Sequence, residues 1–253
     1  MGVSLDQWLI LALAAVLVGI TKTSISGLGA IVVALFAFVF PAKESTATSL
    51  FLLISGDVLA VSLYRSQADW KLIRGLLPAV IPGVAVGAVF MHFVDDKIML
   101  IGIGACIGAT LLVQLILHIR AHATDDIAEK PANPALTIGT GVLAGFVTIV
   151  GNAAAAVMSL YLLVTHTPKL RFVASAAWFY FIVNIIKVPF IVSLGIVDWN
   201  HVVVLATLMP LVVVAGLLGK RFLTHINQRQ FERITLITTI LACVILLVRG
   251  ILA

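Results

Sequence analysis

Apolar residues in this chain come in long, nearly unbroken runs, and polar positions are confined to short intervals between them. Ten runs are readable, at 5–21, 25–40, 47–64, 72–93, 97–118, 135–150, 152–165, 171–194, 200–219 and 230–252. Backbone in lipid must satisfy its own hydrogen bonds, and an apolar run of about 20 residues does so as a helix long enough to cross a bilayer. The pattern therefore predicts an all-α polytopic membrane protein. Four runs, the pairs 5–21/25–40 and 135–150/152–165, are at or below spanning length and are joined by only a few small or polar residues. Each pair reads as two short spans or as a broken, re-entrant helix.

Composition adds what the pattern excludes. Of 253 residues, 62% are hydrophobic and 11% charged, with a mean hydropathy of +1.19, outside the range of soluble domains. Cys106 and Cys243 lie inside apolar runs and read as small buried hydrophobes. His92, His118, His122, His166, His201 and His225 fall mostly at the ends of runs, without metal-site spacing. No phosphate-binding glycine loop and no nucleophile–base pair is evident, so neither a metal, a cofactor nor an enzymatic activity is expected.

Charge orients the runs, because loops rich in Lys and Arg resist translocation. Twelve basic residues collect in alternate connections: Lys22, Arg65, Lys71, Arg74, Arg120, Lys130, Lys169, Arg171, Lys220, Arg221, Arg229 and Arg233. The other side holds three, Lys43, Lys97 and Arg249. The twelve are expected on the cytoplasmic side and both termini opposite. The net charge of +5 then needs no nucleic-acid partner.

An internal repeat is visible in the polar positions. Asp69-Trp70 and Asp198-Trp199 lie 129 residues apart, and that offset also pairs Leu76 with Leu205, Val84 with Val213, Gly87 with Gly216 and Phe93 with Phe222. Upstream, an offset of 126 pairs Gly19 with Gly145, Ser26 with Asn152, Ala30 with Ala156 and Ser49 with Ser175. The halves are 1–118 and 135–253, with a polar, proline-containing linker at 119–134. Five segments in each half make the second half inverted relative to the first, an arrangement recurrent among secondary transporters.

Candidate chemistry gathers at three places. The connection Thr21-Lys22-Thr23-Ser24-Ile25-Ser26-Gly27-Leu28-Gly29 begins a helix with hydroxyls, unpaired amides and a positive dipole end, a combination suited to an oxyanion. A plain capped loop with Lys22 facing water is the competing account. The repeat partner, Gly151-Asn152 followed by four alanines, supplies an amide where the first half has Ser26. Lys187 is a basic residue deep in an apolar run, with Asn184 one turn before it and Pro189 just after. An ammonium there costs at least a few kcal/mol, and attraction of an anion would justify it; snorkelling is the alternative. Asp57, in the corresponding helix of the first half, either neutralises Lys187, carries a coupling proton, or hydrogen-bonds a neighbouring helix.

With these residues in view, the chain resembles the sulfite exporter TauE/SafE family. The resemblance rests on the turn from Gly19 to Gly29, Pro41, the Asp69-Trp70 loop before a Pro/Gly-rich helix, and Asn184-x-x-Lys187-x-Pro189 followed by Gly195. Members commonly carry glycine runs in both turns; this chain has Ser26-Gly27-Leu28-Gly29 and Asn152 with alanines, so its substrate contacts are expected to differ. The resemblance implies a multi-pass protein of the bacterial inner membrane that exports sulfite or an organosulfonate. The expected site comprises Lys187, Asn184, Asn152, Ser24, Ser26, Gly27, Gly29, Thr23 and Lys22, with Asp57 as coupling group. Its expected partners are a small anion, membrane lipid, a coupling proton or sodium, and a second copy in a homodimer. The alternatives are a carrier of another small anion and a non-transporting scaffold or accessory subunit.

Overall fold

The computed structural model describes residues 4–25, 29–95, 97–99, 101–102, 105, 134–165 and 167–252. Among them the elements are helical: α1 (Leu5–Thr23), α2 (Gly29–Val39), α3 (Ala42–Tyr64), a 3₁₀ turn (Arg65–Gln67), α4 (Trp70–Phe93), α5 (Pro134–Gly151), α6 (Ala154–Val164), α7 (Lys169–Ser193), α8 (Trp199–Ala206), α9 (Met209–His225) and α10 (Gln228–Leu252). The expected segment 97–118 and linker 119–134 lie almost wholly outside the described residues.

Five of these helices, α1, α3, α4, α5 and α7, are long and apolar enough to cross a membrane. Helices α2 and α6 have 11 residues each, about 16 Å of rise, roughly half a hydrocarbon core. The short pairs are therefore unequal: a helix of spanning length is followed by one that is not. The run expected at 200–219 is two helices, α8 and α9, bent by 50°, because Pro210 cannot donate to the preceding turn and instead starts α9. Helix α4 continues through Pro78 and Pro82.

The two Asp-Trp pairs do the same local job. Asp69 caps α4, its Oδ1 accepting from the amides of Lys71 at 3.0 Å and Leu72 at 3.1 Å. Asp198 caps α8, accepting from the Asn200 amide at 2.8 Å.

Packing pairs elements from different halves. Helices α1 and α9 run side by side in the same direction, Gly19 against Val212 and Gly216 and Thr23 against Gly219. Helices α4 and α5 do likewise, Leu76 and Ala79 against Gly141, Val80 and Val84 against Gly145. Between these pairs α3 and α7 cross antiparallel: Asp57 meets Asn184, and Asp69, beyond the end of α3, meets Ser175 near the start of α7. One apolar cluster forms around α4, α5 and α7 (Leu76, Val80, Val147, Phe179) and a second around α1, α2 and α9 (Leu11, Val18, Phe36, Val212). Leu9, Phe38, Phe93, Val203 and Leu218 point outward, as a lipid-facing surface requires.

At Gly145 the α4 backbone approaches so closely that an added Cβ would strike the Val80 carbonyl oxygen. Gly145→Val should therefore cost about 1–3 kcal/mol or more and lower the melting temperature in detergent by several degrees. Gly139→Ala, where nothing lies within 4 Å, should leave melting within a degree or so.

Candidate functional site

Two helix ends from different halves converge on the crossing of α3 and α7. Helix α1 ends at Thr23, and its last turn places Lys22 inward with only 10% of its side chain exposed. The Lys22 Nζ lies 2.6 Å from Asp57 Oδ1 and 4.8 Å above the Tyr180 ring. Helix α5 ends at Gly151, and Asn152 follows with φ of 52°, the left-handed conformation that asparagine tolerates after a helix. Its amide nitrogen Nδ2 donates to the Thr46 carbonyl at 2.9 Å and to Ser49 Oγ at 3.0 Å on α3.

Because a carbonyl only accepts, the Thr46 contact sets which way the Asn152 amide faces, and its Oδ1 turns to Lys187. The same logic holds at Asn184, whose Nδ2 donates to Asp57 Oδ2 at 2.6 Å, leaving Oδ1 to accept from Lys187 at 3.1 Å. A third acceptor, Thr148 Oγ1, stands 3.3 Å from Lys187 Nζ. Lys187 is fully buried, 0% exposed, and its three protons match three neutral oxygens. A continuous polar chain thus runs Lys22–Asp57–Asn184–Lys187–Asn152 across both halves.

A small cavity adjoins this chain, lined by Thr21, Lys22, Thr148, Asn152, Tyr180 and Asn184. Gly29 and Ala154, the first residues of α2 and α6, also line it, so two half-length helices present their amino ends to one space. Helix starts carry unpaired amides and partial positive charge. With an ammonium in the wall and a second behind it, the space is suited to a small anion.

The expected residues are distributed as follows. Lys22, Gly29, Asn152 and Asn184 line the cavity, and Lys187 touches two of them. Thr23 is spent on packing, its hydroxyl donating to the Gly216 carbonyl at 2.8 Å. Ser24 turns back on its own helix, to the Ile20 carbonyl at 2.7 Å. Ser26 and Gly27 lie outside the described residues. Asp57 pairs directly with Lys22 and reaches Lys187 only through Asn184. Lys22 therefore leaves the cytoplasmic tally, where its removal does not change the direction of the bias.

Thr148 and Tyr180 were not among the expected residues. Thr148 sits one turn before Asn152 and Tyr180 one turn before Asn184, so each shares a helical face with a residue that was.

At the other end of α3, Glu44, Asp198 and His201 bring one donor atom each within 4.8 Å of one another, Glu44 lying too far in sequence from the other two to reveal it. These three could hold a cation, but His201 Nδ1 meets Glu44 directly, and that contact accounts for their approach. The Asp198 carboxyl is held below its ordinary pKa chiefly by the Asn200 backbone amide.

The family model for the sulfite exporter TauE/SafE matches residues 11–246. No curated protein and no solved structure matches the chain.

Proposed function

Since the chain belongs to the sulfite exporter TauE/SafE family, whose members are membrane transporters of sulfur-containing anions and not enzymes, we propose that it is a secondary transporter exporting sulfite or an organosulfonate across a bacterial inner membrane. The observation that carries this reading is the cavity between the starts of α2 and α6, with Lys22 in its wall and Lys187 beside it. Discontinuous helices whose amino ends face a central site are how transporters bind anionic groups within the bilayer.

Alternating access fits the same picture. Equivalent helices of the proposed repeats 1–118 and 135–253 cross antiparallel at α3 and α7, and the pairings α1 with α9 and α5 with α4 are reciprocal. Both features support an inverted repeat whose halves exchange conformations around one site. Contacts that bridge them at the site include Asn152 to Thr46 and Ser49, Asp57 to Asn184, and Lys22 over Tyr180.

Purified protein in proteoliposomes should give saturable flux of sulfite or of a simple alkanesulfonate that empty liposomes lack. Preference for a carboxylate or a cation would sink the substrate assignment, and absence of any solute-dependent flux would favour a scaffold.

A further inference from the structure

The charges at the site are few, and their hydrogen bonds define their forms. Asp57 Oδ2 accepts from Asn184 and Oδ1 lies 2.6 Å from the Lys22 ammonium as an ion pair, which is the pattern of a carboxylate. Lys187 Nζ lies within hydrogen-bond distance of three oxygens, two of them amide oxygens whose nitrogens are engaged elsewhere, an arrangement suited to an ammonium. Lys22 lies against a carboxylate and an aromatic face, both partners of a cation. Among the described residues on this polar chain, two positive groups thus face one negative group, and Lys187 is the cation with no carboxylate in contact.

From this we infer that the site carries one uncompensated positive charge and takes its anion singly charged, with Asp57 as a built-in counter-ion that discriminates against dianions. The inference rests on the reading of this cavity as the anion-transport site. Asp57 thus neutralises Lys22 instead of Lys187, a role its sequence position did not suggest, and the transported anion neutralises Lys187.

Two physical effects set the preference. Stripping water from an ion costs free energy in proportion to the square of its charge, so a dianion loses about four times as much hydration as a monoanion of like size. Attraction to fixed charges and to the amino ends of α2 and α6 grows only in proportion to the charge. A site with one net positive charge therefore leaves a bound dianion undercompensated, in surroundings that are largely buried. From a mixed sulfite pool the species taken is hydrogensulfite, and an alkanesulfonate, whose single charge does not vary with pH, is an equally suitable ligand.

Methanesulfonate and sulfate test this cleanly, because both are tetrahedral sulfur oxyanions of similar size that differ in charge. Calorimetric titration of the purified full-length protein should show methanesulfonate binding at least tenfold more tightly than sulfate, and neutral dimethyl sulfone not measurably. Asp57→Asn raises the net charge by one and should shift the methanesulfonate-to-sulfate ratio at least tenfold towards sulfate. Equal or tighter binding of sulfate by the wild-type protein overturns the inference whether or not the variant folds, as does an unchanged ratio in a folded Asp57→Asn protein. If sulfite, methanesulfonate and sulfate all fail to bind, the transport-site reading falls and this inference falls with it. Binding of sulfate with the wrong preference leaves the transport reading standing.

Discussion

Lys187→Met should abolish anion flux in proteoliposomes while the protein remains folded and monodisperse. The ammonium is fully buried, 0% exposed, and is held by Asn152, Asn184 and Thr148 rather than by a carboxylate. Its desolvation is therefore only partly offset in the empty site, and an arriving anion supplies the missing partner. A hydrogen bond to a charged group contributes about 1.5–3 kcal/mol, which at about 1.4 kcal/mol per decade is roughly tenfold to a hundredfold in affinity for one such contact. Methionine keeps the length and flexibility of the side chain, so packing against α3 and α5 is conserved. Its stability effect should be small, because losing three acceptors' partner and removing a buried charge act in opposite directions. Flux and melting temperature measured on the same preparation decide the matter: full flux from a folded Lys187→Met protein would remove Lys187 from the site.

Much of the architecture is legible in the sequence because lipid leaves the chain few options. Runs such as 72–93 and 171–194 become α4 and α7 with ends within a few residues, since an apolar run of that length has only the helix available. Asn184 and Lys187 are readable as neighbours from their spacing on one helix, and Asn152 from its place opposite Ser26 in the repeat. Lys22 is not readable in the same way. A lysine at the end of an apolar run looks identical whether it reaches water or turns inward, and the difference is made by Asp57, whose position on another helix only the fold supplies. The hydroxyls of Thr23 and Ser24 show the reverse: a polar cluster that reads as a ligand cradle is mostly absorbed by backbone carbonyls of α1 and α9. The bend between α8 and α9 is hidden because the hydrophobic pattern continues straight through Pro210, and the two prolines of α4 show that such a residue does not always interrupt a helix.

Lys22→Met should be the most destabilising single substitution at the site, and adding Asp57→Asn should recover most of the loss. An exposed ion pair contributes at most about 1 kcal/mol, but this one is enclosed, with side-chain exposures of 10% for Lys22 and 0% for Asp57. Removing the lysine leaves a buried carboxylate with Asn184 as its remaining polar partner, and breaking such a pair from one side costs about 3–5 kcal/mol. In a chain of this size that is a fall in melting temperature on the order of 10 °C. Asparagine at position 57 removes the stranded charge while keeping an oxygen to accept from Asn184, so the double variant should melt far closer to the wild-type protein than Lys22→Met does. The double-mutant cycle then measures the pair itself. Flux should recover in part with stability, because the double substitution leaves the net charge of the site unchanged, with Lys187 and both helix starts in place, while the cavity wall has lost Lys22. A Lys22→Met protein that melts with the wild type would mean that the pair is solvent-screened and that Asp57 does not depend on it.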